Sequence, residues 1–262
     1  MLRALIVAAL AAAAAAGAAP RTHRAEVVGH SVRGRPIVAY ERGDPSAPAT
    51  LVVGVIHGTE PAGLRVISRL RRMPLPPHVH LWLVPTVNPD GLAAGTRQNA
   101  HGVDLNRNWP VHWVHYGVPW DGYYSGPRPL SEPESRAMRA FILRIKPALT
   151  IWYHQPLDEV YGSDSHVAVL KRYARLSGLP YHRLAAPPGT ATRWQRRRFP
   201  RSPAFVVEFP AGRISTATAR RNAAAVVALA ADTAQQPSAM SRQPRRLPGG
   251  EGEPLPQRLT AV

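Results

Sequence analysis

Apolar and polar positions repeat along this chain with two different periods. From Glu26 to Tyr40 they alternate around Arg33-Gly34-Arg35-Pro36, which predicts a β-hairpin. Thr50 to Ile56 and His80 to Pro85 are short continuous apolar runs, the pattern of strands covered on both faces. Between them, from Pro61 to Met73, Leu64, Ile67 and Leu70 recur at helical spacing, with arginines elsewhere and proline at the start. Asn88-Pro89-Asp90-Gly91 reads as a turn. Ser131-Glu132-Pro133-Glu134 resembles a capping box ahead of a helix that buries Met138, Phe141, Ile142 and Ile145. Leu149 to Tyr153 is a further strand ending at His154, Ser165 to Leu176 a helix closed by Gly178, Ala204 to Phe209 a strand, and Thr216 to Ala231 an alanine-rich helix. Strands alternating with helices predict an α/β fold with a largely parallel sheet. Gly95 to Pro129 has no sustained period, and a loop that long in a compact domain is usually functional.

The 262 residues, 45% of them apolar, are enough for one large domain with a sizeable core. Met1-Leu2-Arg3 followed by an alanine-rich stretch predicts a cleavable secretory signal over residues 1–19, an uncleaved anchor being the alternative. The catalytic domain is then expected over 20–234. Residues 235–262 mix Pro, Arg, Gly and Gln with almost no large apolar side chains and predict a disordered tail. The absence of cysteine excludes thiol chemistry and thiolate metal sites. A net charge of +17 suits an anionic partner, but Lys146 and Lys171 are the only lysines, and arginine, alanine and proline together match a GC-rich coding bias equally well. With an exported chain, no nucleic-acid partner is expected, nor membrane insertion once the signal is removed.

Three apolar runs end in a residue able to ligate a metal or move a proton: Ile56 precedes His57, Tyr153 precedes His154, and Val207 precedes Glu208. Strand ends are where α/β folds build sites. His57 and Glu60 flank a strand-to-helix turn, and with His154 they supply the two imidazoles and one carboxylate of a catalytic zinc site with one open position. Glu208 is then free to act as general base. Arg97 offers a donor for a developing oxyanion, and the Asn106-Arg107 pair offers donors for a carboxylate. Taken singly each residue is ambiguous: His23 and Glu26 repeat the same spacing in a polar stretch, Glu208 alone could be an ion-pair partner, and Asp104 could pair with Arg107. His78 with His80, and His112 with His115, are further pairs without a carboxylate at matching distance.

The joint occurrence, in order, of His57-Gly58-Thr59-Glu60, Asn88-Pro89-Asp90-Gly91, Thr96-Arg97, Val103 to Trp109, Tyr124-Ser125-Gly126, Ser131 to Glu134, His154 and Val207-Glu208-Phe209 resembles the zinc metallocarboxypeptidases of the carboxypeptidase A type. The likeness runs from about Val27 to Ala230. The short chain, His154-Gln155-Pro156-Leu157 and Glu208-Phe209-Pro210 are similar to the murein peptide amidase group, which cleaves the amide between γ-D-glutamate and diaminopimelate. The resemblance implies an α/β/α sandwich around a mixed, mostly parallel twisted sheet. It implies one zinc ion on His57, Glu60 and His154, with Asp104 accepting the second ring proton of His57. It also implies Glu208 as the proton carrier, Arg97 as the oxyanion donor, and Asn106 and Arg107 as the grip on a free terminal carboxylate.

The chain departs from the digestive enzymes between Gly189 and Phe199, where no tyrosine matches their mobile one. Arg193, Arg196, Arg197 and Arg198 either select an acidic side chain or form a solvated loop. Three functions are therefore carried forward: a secreted or envelope-associated zinc-dependent amidase of murein peptides, a carboxypeptidase for ordinary peptides, and a non-catalytic wall-binding protein on the same fold.

Overall fold

The computed structural model describes residues 22–162 and 165–235. The expected signal and nearly all of the expected tail lie outside those residues. Among the described residues eight strands form one mixed sheet: β1 (Thr22–His30), β2 (Pro36–Gly43), β3 (Ala49–Val53), β4 (His80–Val84), β5 (Leu149–His154), β6 (Val160–Gly162), β7 (Tyr181–Arg183) and β8 (Ala204–Glu208). Their spatial order is β1-β2-β4-β3-β5-β8-β6-β7. The centre, β4-β3-β5-β8, is parallel, while β1 and β2 run antiparallel at one edge and β6 pairs antiparallel with β8 near the other. Every residue of β4, β5 and β8 is buried, in keeping with their largely apolar sequences, the pattern of strands covered on both faces.

Among the described residues six helices cover the sheet: α1 (Gly63–Arg72), α2 (Pro89–Ala94), α3 (Pro133–Ile145), α4 (Val167–Ser177), α5 (Ala191–Arg198) and α6 (Thr216–Gln235). Alternate side chains of each central strand enter two separate cores. Val52, Leu83, Tyr153, Phe205 and Val207 pack against α1, α4 and α6. Leu51, Val53, Trp82, Trp152 and the side chains of α3 and α5, among them Phe141 and Trp194, fill the opposite face. The result is the three-layer α/β/α arrangement. No helix among the described residues is long and apolar enough to cross a membrane.

Several local expectations need correction. Asn88-Pro89-Asp90-Gly91 is the start of α2 rather than a free turn, with Asn88 Oδ1 capping Gly91 N at 2.8 Å. The capping box does not form: α3 begins at Pro133 behind Glu132, which makes no side-chain cap bond, and Glu134 instead accepts from Val32 N and Asn99 Nδ2. On α1 the buried face is Gly63, Val66, Ile67 and Leu70, with Leu64 only half-buried. The stretch from Gly189 to Phe199, open in sequence between pocket and loop, is mostly α5. Its helical period was hidden because arginines occupy half of its eight positions. Strands β6 and β7 have three residues each, too short for a period to show.

Candidate metal and catalytic site

The site lies at the carboxyl ends of the parallel strands. Beyond β3 the chain turns so that Glu60 N donates to His57 O at 3.0 Å, which brings both side chains to one spot before α1 begins. His154 and Glu208 are the last residues of β5 and β8 and lie directly side by side in parallel register. Gln155 fastens this corner: its Oε1 accepts from Ala62 N, and its Nε2 donates to Pro210 O and Gly212 O.

His57, Glu60 and His154 are all buried, and their ligand atoms lie within 4.8 Å of one another. Both histidines turn Nδ1 toward the same carboxylate, His57 at 2.9 Å from Glu60 Oε1 and His154 at 2.9 Å from Glu60 Oε2. Two imidazole nitrogens and a carboxylate oxygen are a donor set that would hold a zinc ion. Among the described residues no other group of three such side chains converges in this way. His78 and His80 do not act together, since His80 bonds Glu41 Oε1 and Ala47 O while His78 has left the strand with a positive φ of 60°.

The second ring nitrogen of His57 meets Asp104 Oδ1 at 2.9 Å, just before a short 3₁₀ turn over Leu105–Arg107. Burial disfavours a charged His57, but Asp104 and Glu60 outweigh it and raise its pKa. Burial likewise opposes charge on Glu60 and Asp104, yet the neighbouring histidines and, for Asp104, Arg97 hold both well below the usual carboxylate range. His154 is pushed down, chiefly by burial. An ionised Glu60 and a neutral His154 suit metal binding, for which His57, its pKa raised by two carboxylates, would release a proton.

Glu208 differs from every other carboxylate here. It is 6% exposed, and its Oε2 has no hydrogen-bond partner among the described residues. Burial, reinforced by Glu60, pushes its pKa up to about 7. A carboxyl group poised near neutrality, with one oxygen uncommitted, suits proton transfer.

Arg97 donates through Nη1 to Glu60 Oε1 at 2.8 Å and through Nε and Nη2 to Asp104 Oδ2. Its guanidinium therefore borders the metal ligands. Asn106 is more constrained than a free donor: Oδ1 accepts from Ala191 N at 3.0 Å, and Nδ2 lies 3.5 Å from His154 Nε2. Asp104 and Arg107 do not form an ion pair. The Arg107 Nη1 donates to Asn106 O at 2.8 Å, and Gly189, at φ 68°, passes so close that a Cβ there would meet Arg107 O at 2.3 Å.

Two side chains join the site without having been singled out in sequence. Tyr161 on β6 pairs in register with Val206 and so shares a sheet face with Glu208; burial, then Glu208, raises its pKa well above the ordinary tyrosine value. Tyr123, half-exposed, places its ring beside both Arg97 and Arg107. Only contacts across the fold reveal either one. Of the four arginines on α5, Arg197 and Arg198 face solvent, whereas Arg193 and Arg196 are partly buried.

Comparison with known proteins places this geometry in a family. The chain is 34% identical over 143 residues to murein peptide amidase A of Escherichia coli, a stretch covering 50% of this chain and 59% of that protein. It is 30% identical over 179 residues to murein peptide amidase A of Vibrio campbellii, covering 62% and 71% respectively. The crystal structure of murein-tripeptide amidase MpaA from Escherichia coli O157 superposes with a TM-score of 0.64 at 28% identity, over 84% of this chain and 95% of that one. Carboxypeptidase A from Helicoverpa armigera shares the fold, with a TM-score of 0.68 at 20% identity over 81% and 68%. The profile described as zinc carboxypeptidase matches residues 9–161, more than half of the sequence, and the chain belongs to that family.

Proposed function

We propose that this protein is a zinc-dependent hydrolase that cleaves a peptide amide adjacent to a free carboxylate, and that its substrates are murein peptides, cut at the γ-D-Glu-diaminopimelate bond. The observation that carries the hydrolytic reading is the juxtaposition of the buried His57-Glu60-His154 triad with Glu208, whose free Oε2 and neutral-range pKa equip it for proton transfer. The murein reading is supported by the likeness to murein peptide amidases. Export to the cell envelope is supported by the sequence of residues 1–19.

A zinc ion held by His57, Glu60 and His154 would supply Lewis acidity toward the scissile carbonyl and the attacking water. Glu208 takes the proton from that water and returns it to the leaving amine, so its carboxylate is regenerated in each turnover. Asp104 fixes the tautomer of His57 by accepting its Nε2 proton. The Arg97 guanidinium, bordering Glu60, is placed to receive negative charge that develops on the carbonyl oxygen. Arg107, which has no carboxylate in ion-pair contact among the described residues, is available for the substrate's terminal carboxylate.

The test is hydrolysis of L-Ala-γ-D-Glu-diaminopimelate by the purified protein, with and without a chelator, beside Glu208→Gln and an ordinary C-terminal peptide substrate. Chelator-sensitive release of diaminopimelate, reduced about 10²–10⁴-fold in the variant while zinc content is retained, is the expected result. Cleavage of the ordinary peptide alone would assign the protein to general carboxypeptidases. Wall binding without metal-dependent turnover of either substrate would overturn the enzymatic reading.

A further inference from the structure

The long loop between Gly95 and Pro129 is fastened around Arg97 rather than hanging free. Gly122 O accepts from Arg97 Nε at 3.1 Å, Tyr124 O accepts from Asp104 N at 2.8 Å, and the Trp120 and Asp121 carbonyls accept from Gln98 Nε2. Between these bonds stands Tyr123. Its ring centroid lies 5.4 Å from the Arg97 guanidinium carbon and 5.0 Å from that of Arg107, within cation–π range of both. It is the one aromatic ring among the described residues that contacts both arginines.

The need for such a ring follows from how differently the two guanidiniums are held. Arg97 is gripped by Glu60 and Asp104. Arg107 has a backbone carbonyl from its own neighbour and opens onto a cavity of about 270 Å³ lined by Val114, Tyr116, Tyr123, Ser125 and Pro188. A long, flexible cation facing a mostly apolar cavity has little to fix its orientation except the face of Tyr123. The ring is nonetheless 50% exposed, so burying its area is not a sufficient reason for its position.

We propose that Tyr123 is a positioning residue that sets Arg107 relative to Arg97, so that one substrate meets both: its free carboxylate at Arg107 and its reacting carbonyl beside Arg97. This rests on the proposed carboxylate grip of Arg107. The attraction is of the ring face, so Tyr123→Phe retains it and Tyr123→Leu removes it at similar size. At a partly exposed site the loss of cation–π contact amounts to about five- to tenfold in binding.

The experiment compares steady-state kinetics of the zinc-loaded wild type, Tyr123→Leu and Tyr123→Phe on one peptide presented as its free acid and as its C-terminal amide. The expected result is that Tyr123→Leu raises KM for the free acid about five- to tenfold, leaves KM for the amide nearly unchanged, and so erodes the wild type's preference for the acid; Tyr123→Phe restores it. A parallel loss on both substrate forms would make Tyr123 a structural strut only, and an unaltered preference would remove it from substrate positioning; either overturns the inference alone. A wild type that does not distinguish acid from amide would overturn the carboxylate grip itself, and the inference with it.

Discussion

The Nε2 atom of His57 lies 2.9 Å from Oδ1 of Asp104 across 47 positions of sequence, in a contact that leaves Nδ1 of His57 directed at the candidate metal centre. Asp104 is wholly buried and also accepts from Arg97 and from Asn106 N, so its own orientation is over-determined. A ligand imidazole held in this way need not be reoriented when a metal binds. Asp104→Asn is therefore expected to weaken zinc binding about 10–100-fold, measured by competition with a chromophoric chelator. Unchanged affinity would separate Asp104 from metal binding.

The raised pKa of Glu208 makes a second prediction, for the metal-free protein. Its folded pKa of about 7 exceeds the ordinary value of 4.5, so between those limits the folded state holds more protons than the unfolded one. Stability contributed by this group is then present at low pH and lost as pH rises through that window, by as much as about 3 kcal/mol. Glu208→Gln, which cannot ionise, should be less stable than wild type by little or nothing near pH 5 and more stable near about pH 8. Denaturant unfolding at both pH values measures the difference; an identical pH response in wild type and variant would show that Glu208 does not carry it.

Gly58 supplies a third. A Cβ at this position would lie 2.1 Å from the Gly91 carbonyl carbon and 2.2 Å from its oxygen, and backbone cannot swing aside as a flexible side chain can. Gly58→Ala should cost at least about 1–3 kcal/mol, seen as a lowered Tm. Because the clash displaces the turn joining His57 to Glu60, zinc affinity should fall as well. A variant with unchanged Tm and unchanged metal binding would contradict the close approach.

The arginines of α5 divide into two pairs. Arg193 donates to Ala186 O at 2.9 Å, and burial with the nearby Arg193 charge lowers the pKa of Arg196, while Arg197 and Arg198 extend into solvent. Selection of an acidic side chain is therefore expected from the first pair only. Arg193→Gln or Arg196→Gln should reduce turnover of acidic relative to neutral substrates by about tenfold, and the same change at Arg197 or Arg198 should leave that ratio alone. Equal losses on both substrates would remove the idea.

The apolar runs at Leu51-Val52-Val53 and Ala204 to Val207, and the one from Leu149 to Tyr153 interrupted only by Thr150, pointed by themselves to buried central strands, because a strand with a solvent face ordinarily alternates apolar and polar positions. With the strand ends located, His57, His154 and Glu208 followed as candidates; spacing added Glu60, donor chemistry added Arg97 and the Asn106-Arg107 pair, and the family resemblance gave Asp104 its place behind His57. What periodicity could not reach was any feature set by contacts between distant segments. Strand β6 has only three residues, so the position of Tyr161 on the Glu208 face depends on pairing with β8. Helix α5 has its apolar contacts supplied by Trp194 and Ala191 against Trp109 and Trp152 from elsewhere in the chain, which no local pattern encodes. The unpartnered oxygen of Glu208 and the placing of Tyr123 beside two arginines are likewise products of tertiary packing. Burial and proximity arise only when the strands and the long loop converge, and they convert a general carboxylate into one poised near neutrality.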